Sequence, residues 1–84
     1  MAKRNYIPDH VMYANISSDA KMIYLELRKL AGFDGIAKGV TDETLSELQG
    51  MEEATVASCI GELYSFGIIE VTTGAKGRDI KLLV

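Results

Sequence analysis

Apolar residues recur at helical spacing through the first third of the chain, at Ala20, Ile23, Tyr24, Leu27, Leu30 and Ala31. Lys21, Glu26, Arg28 and Lys29 fall on the other side. Steps of three and four place side chains on one face of an α-helix, so this stretch predicts an amphipathic helix. Ser17-Ser18-Asp19 marks its start. A hydroxyl there accepts a free backbone N–H, and an acid lies well against the positive end of the helix dipole. Arg28 and Lys29 suit the other end, and Gly32 is the expected terminator.

The pattern then breaks. Asp34, Gly35 and Gly39 punctuate a loop that leaves room for only a minimal strand at residues 36–40. Thr41-Asp42-Glu43 supplies a cap and first-turn acids for a second helix, whose apolar side is Leu45 and Leu48 and which stops at Gly50. A third helix is predicted from Glu52 or Glu53 to about Ser65, with Val56, Cys59, Ile60 and Leu63 on one face and Phe66-Gly67 at its end. Residues 68–73 are β-branched and apolar, hence a strand; residues 74–79 read as a turn, and residues 80–84 as a second strand. Upstream, Pro8 biases Ile7 away from helical geometry, so residues 6–8 are expected to be extended, and residues 10–14 have room for one short turn of helix.

The predicted class is therefore α+β: three helices plus a C-terminal β-hairpin. A short helix, a tight turn at Gly50 and a longer amphipathic helix make a helix-turn-helix unit. The hairpin that follows would act as a wing over the core, since neither the helix pair nor the hairpin can bury its apolar side alone.

Length and composition agree with a single domain over residues 1–84, with 1–8 as a flexible or extended arm. The chain has 84 residues, of which 48% are hydrophobic. No apolar run approaches the roughly 18 residues that span a bilayer, and Lys3-Arg4 is not followed by the apolar stretch of a secretion signal. A single Cys59 cannot form an intramolecular disulfide, which fits a reduced core thiol in a cytoplasmic protein.

The stretch from Ile7 to Val71, about three-quarters of the chain, resembles the winged helix-turn-helix domains of phage and plasmid replication initiation proteins and related small regulators. The resemblance rests on Ile7-Pro8 and on Ile16-Ser17-Ser18-Asp19-Ala20-Lys21 at a helix start. It continues through Thr41 and Thr44-Leu45-Ser46-Glu47-Leu48-Gln49-Gly50-Met51, then Thr55-Val56 and Ile60-Gly61-Glu62-Leu63-Tyr64-Ser65-Phe66-Gly67-Ile68-Ile69. It implies a small winged helix-turn-helix fold and a DNA-binding protein of phage- or plasmid-type transcription regulation or replication. Such a protein would take double-stranded DNA as its partner, as a homodimer, because one unit of this size offers few contacts. On this reading the contacts come from Lys76, Arg78 and Lys81 on the wing and last strand, from Lys3 and Arg4 of the arm, and from Thr44, Glu53, Ala54, Ala57 and Ser58 of the helix pair.

Charge supports an alternative. Net charge is −3, but residues 41–70 carry seven acids and no Lys or Arg, whereas the other 54 residues carry five acids and nine bases. Where the family presents basic or polar side chains to the major groove, this chain has Glu52, Glu53, Ala54, Ala57, Ser58 and Gly61. Lys and Arg on phosphates drive most DNA binding, and glutamates meet repulsion there unless one accepts from a cytosine amino group. The alternative is a protein-interaction or dimerisation module whose acidic, small-residue third helix docks on a basic protein partner or on itself.

Catalysis and metal binding are not expected. One His10 and one Cys59 have no third group in sequence to orient them, ligand-spaced His and Cys are lacking, and Gly74 and Gly77 do not open a helix as a phosphate loop would. No enzyme, cofactor or membrane association is anticipated.

Overall fold

The computed structural model describes residue 11, residues 14–74 and residues 77–84. Lys3, Arg4, His10, Lys76 and the expected N-terminal arm lie outside the described residues. The described part is α+β, with three helices and a three-stranded antiparallel sheet: α1 (Ser18–Leu30), β1 (Ile36–Ala37), α2 (Asp42–Gln49), α3 (Glu53–Ser65), β2 (Ile69–Gly74) and β3 (Gly77–Leu82).

Local chemistry sets each helix end. Ser17 caps α1, its hydroxyl accepting from the Ala20 N–H at 3.1 Å. Thr41 caps α2 in the same way, accepting from Thr44 N–H at 3.1 Å. Gly50 ends α2 in the left-handed region at φ 65°, which costs glycine nothing and lets α3 start three residues later. At the end of α3, Ile68 N–H returns to the Leu63 carbonyl and Gly67 N–H to Tyr64, with Gly67 at φ 70°. This paired return satisfies carbonyls the helix itself leaves open. The end of α1 departs from expectation: Ala31 turns extended, at φ −72° and ψ 143°, so Gly32 lies beyond the cap and is not its left-handed terminator. Gly32 N–H instead bonds the Ile36 carbonyl, which directs the chain straight into β1.

The sheet order is β1-β3-β2. β1 is shorter than the expected 36–40 because Gly39 turns left-handed at φ 65° after only two paired residues. The β2–β3 hairpin also differs from expectation. Gly74 pairs with Gly77, leaving residues 75–76 alone between the strands, so Arg78 and Asp79 belong to β3 and not to a six-residue turn. Counting Gly, Asp and Arg as turn formers misread them. Arg78 and Asp79 are held in the strand by partners on the segment between β1 and α2: Asp79 Oδ1 accepts from Gly39 N–H at 3.1 Å, and Arg78 Nε donates to the Val40 carbonyl at 3.0 Å. A Cβ at position 74 would stand 2.7 Å from Asp79 Oδ1, so a side chain there would have to displace the carboxylate that Gly39 N–H holds.

One core unites these elements. Tyr24, Ile23 and Leu27 of α1, Leu45 of α2, Val56 and Leu63 of α3, and Ile69 and Ile80 of the sheet are all essentially inaccessible to water. Alternation puts Ile69, Val71, Ile80 and Leu82 on the core side, and Glu70, Thr72 and Lys81 on the outer side. Two positions on α1 reverse their expected sides. Leu30 is 41% exposed, and Glu26, placed by spacing on the polar face, is 8% exposed beneath the end of α2. Gln49 Nε2 donates to Glu26 Oε1 there at 2.6 Å, and this bond makes the burial of the acid tolerable.

Candidate nucleic-acid interface

Helix α3 follows the Gly50 turn and buries Val56, Cys59, Ile60 and Leu63. A 100° advance per residue then turns Glu53, Ala54, Ala57, Ser58 and Gly61 outward, and all five are exposed. Gly61 is notable here. Glycine in a helix interior costs about 1 kcal/mol relative to alanine, and among the described residues nothing requires it, because a Cβ at Gly61 would meet none of their atoms within 4 Å. Thr44 of α2 is also exposed, its hydroxyl 3.0 Å from that of Thr41. The outward side of α3 is thus a narrow strip of small residues with Glu52 and Glu53 at its head.

The two expected cations among the described residues, Arg78 and Lys81, do not gather around that strip. Arg78, read from sequence as a wing-tip phosphate contact, lies in β3 opposite Thr73, and its guanidinium is engaged by the Val40 carbonyl and the Asp42 carboxylate at the start of α2. It closes the sheet against the helix pair. Lys81 is exposed on the outer sheet face, but it stands across from Glu70 on β2 and Ile36 on β1. Among the described residues, then, the structure brings Glu53, Ala54, Ala57 and Ser58 together and leaves Lys81 on a separate face.

Sequence reasoning missed a bridge between helices. Glu62 of α3 accepts from Ser17 on both carboxylate oxygens, from the backbone N–H at 2.9 Å and the hydroxyl at 2.8 Å. Ser17 therefore caps α1 and binds α3 at once. No local signal announces this, because the partners lie 45 positions apart. The Ser17 backbone bond, then its hydroxyl bond, hold the Glu62 carboxyl below the usual carboxylate range. A lowered pKa in the folded state adds stability at pH values above a carboxyl's ordinary 4.5, and that contribution is lost as pH falls through the lowered value. Glu62→Gln is accordingly expected to lower the thermal midpoint at neutral pH, with the gap to the parent closing in acid, as followed by circular dichroism melts. An equal gap at all pH values would show that the charge plays no part. Burial, then the charges of Asp19 and Glu62, push the neighbouring Cys59 thiol up, against a smaller opposing contribution from Ser17.

Among the described residues, no group of three or more His, Cys, Asp or Glu could hold a metal ion. No helix among them is long and apolar enough to cross a membrane. No protein-family model matches the chain, and neither the curated proteins nor the solved structures provide a match.

Proposed function

We propose that the chain is a winged helix-turn-helix domain without catalytic activity, and that it binds duplex DNA with α3 in the major groove and the β2–β3 hairpin as its wing. Gly61 is the observation that supports this most directly. An exposed glycine in mid-helix, costly to the chain and required by none of its described neighbours, fits a helix face that something else must approach closely. Ala54, Ala57 and Ser58 beside it offer little apolar area, so burial against a protein would gain little. A polar groove about 12 Å wide suits them better. Glu53 would accept from a cytosine amino group, and phosphate contacts would come from Lys3, Arg4 and Lys76, with a second copy extending the footprint. The likeness to phage and plasmid initiators and regulators suggests a role in replication or transcription control in the cytoplasm.

A second reading, a protein-interaction module docking α3 on a basic partner, is favoured by the seven acids and no bases of residues 41–70 and by the engagement of Arg78 with Asp42. Fluorescence anisotropy with labelled duplex separates the two. With about three cation–phosphate contacts, DNA affinity should fall about 40-fold between ~50 and ~200 mM salt. Gly61→Leu should raise the melting temperature through helix propensity yet weaken DNA binding by at least ~10-fold through lost groove fit. Absence of binding at the lower salt, or a Gly61→Leu protein that binds as the parent does, would overturn the DNA reading.

A further inference from the structure

Strand β2 is an open edge of the sheet. The order β1-β3-β2 gives it β3 on one side, and among the described residues no strand lies on the other. In an antiparallel pair, successive residues direct their backbone N–H and C=O alternately toward and away from the partner. Leu83 N–H bonds the Ile68 carbonyl and Val40 N–H bonds the Arg78 carbonyl, which fixes that alternation. Glu70, Thr72 and Gly74 therefore bond β3, whereas Ile69, Val71 and Thr73 direct both groups outward. Ile69 is 1% exposed, so its groups are out of reach; Val71 is half-buried and Thr73 exposed, so theirs are accessible. Open edges are usually blunted by Lys, Pro or a bulge. Residues 69–74 hold no Lys or Pro and pair with β3 without a break in register, and Val71-Thr72-Thr73 is a β-branched run suited to a further strand.

We propose that this edge pairs antiparallel with the same edge of a second copy, about a two-fold axis through Thr72, so that their sheets become one. What selects a second copy is the spacing of the accessible groups. With Thr72 opposite Thr72, Val71 of each copy exchanges both backbone bonds with Thr73 of the other, and no accessible group of β2 is left over. Thr72 then meets its counterpart in the closely spaced kind of pair, where two threonine hydroxyls bond each other. Glu70 falls opposite Gly74, so the one charge on the strand is not opposed by its own copy. Neighbouring registers fail. Centring on Glu70 or on Val71 needs the buried Ile69, and the former also opposes two carboxylates; centring on Thr73 carries the partner of Val71 past the end of β2 at Gly74. The contact does not rest on DNA binding and is tested without DNA.

Sedimentation velocity and amide hydrogen exchange followed by NMR read it out between ~0.01 and ~1 mM protein, where so short a contact associates. The parent should pass from monomer to dimer across that range. The Val71 and Thr73 amides, unbonded in the monomer, should exchange at least ~10-fold more slowly in the dimer. Thr73→Pro removes an N–H that β3 does not use, so the hairpin should remain while the dissociation constant rises at least ~10-fold, one bond being lost from each copy. Thr72→Glu and Thr72→Lys each oppose like charges on the two-fold axis and should be monomeric alone, whereas an equal mixture of the two should associate. A parent chain that stays monomeric throughout the range would overturn the proposal. So would a dimer whose Val71 and Thr73 amides exchange as fast as in the monomer. A mixture of the two Thr72 variants no better associated than either alone, with both folded by their melting curves, would do the same.

Discussion

Tyr24→Ala is expected to remove about 3–5 kcal/mol of folding free energy, the usual cost of deleting a large buried aromatic. A chain of 84 residues has only roughly 4–13 kcal/mol in total, so the variant should be largely unfolded on modest warming or in little urea. Tyr24 is 0% exposed, and its ring fills the middle of the core from α1. Its hydroxyl donates to the Val84 carbonyl at 2.8 Å and accepts from Arg28 Nη1 at 3.3 Å, tying α1 to the end of the sheet. Tyr24→Phe keeps the ring and loses the bonds, which should cost about 0.5–1.5 kcal/mol. Urea denaturation of both variants measures the split. A Phe variant as unstable as the Ala variant would place the energy in the hydroxyl and not in packing.

Arg78→Ala should be the second large effect, about 1.5–3 kcal/mol, because it strands partners that the guanidinium satisfies. The Val40 carbonyl and the Asp42 carboxylate both lose a donor, in a site where the Arg78 and Asp42 side chains retain only 27% and 30% of their exposure. A double-mutant cycle with Asp42→Asn should show coupling of roughly 0.5–3 kcal/mol. The same variant tests the reassignment of Arg78. If the residue is structural, the still-folded protein keeps the parent's salt dependence toward DNA. A slope reduced by about one would mean that the guanidinium leaves Asp42 to meet a phosphate.

The helices were legible because their ends are set by residues close in sequence. Ser17, Thr41, Gly50 and Gly67 cap or stop helices through bonds spanning a few positions, and each stands where spacing and residue type indicate. Features that depend on distant partners were not legible. Glu26 has the spacing of a solvated residue and becomes buried only because α2 ends over it with Gln49. Arg78 and Asp79 have the composition of a turn and become strand because Gly39, Val40 and Asp42 receive them. The candidate site divides along the same line. The outward set on α3 follows from helical periodicity, whereas the whereabouts of the cations depended on how the hairpin closes.

The pairing of β1 with β3 joins distant parts of the chain. Ile36 and Ala37 find their partners in Lys81 and Ile80, over half the chain away, and Leu82 N–H reaches back to the Gly35 carbonyl. The helices are closed by bonds between residues near in sequence, whereas β1 stays unpaired and the core half-covered until residues 77–82 fold back to it. Closure of that long loop, and not helix formation, should set the pace of folding.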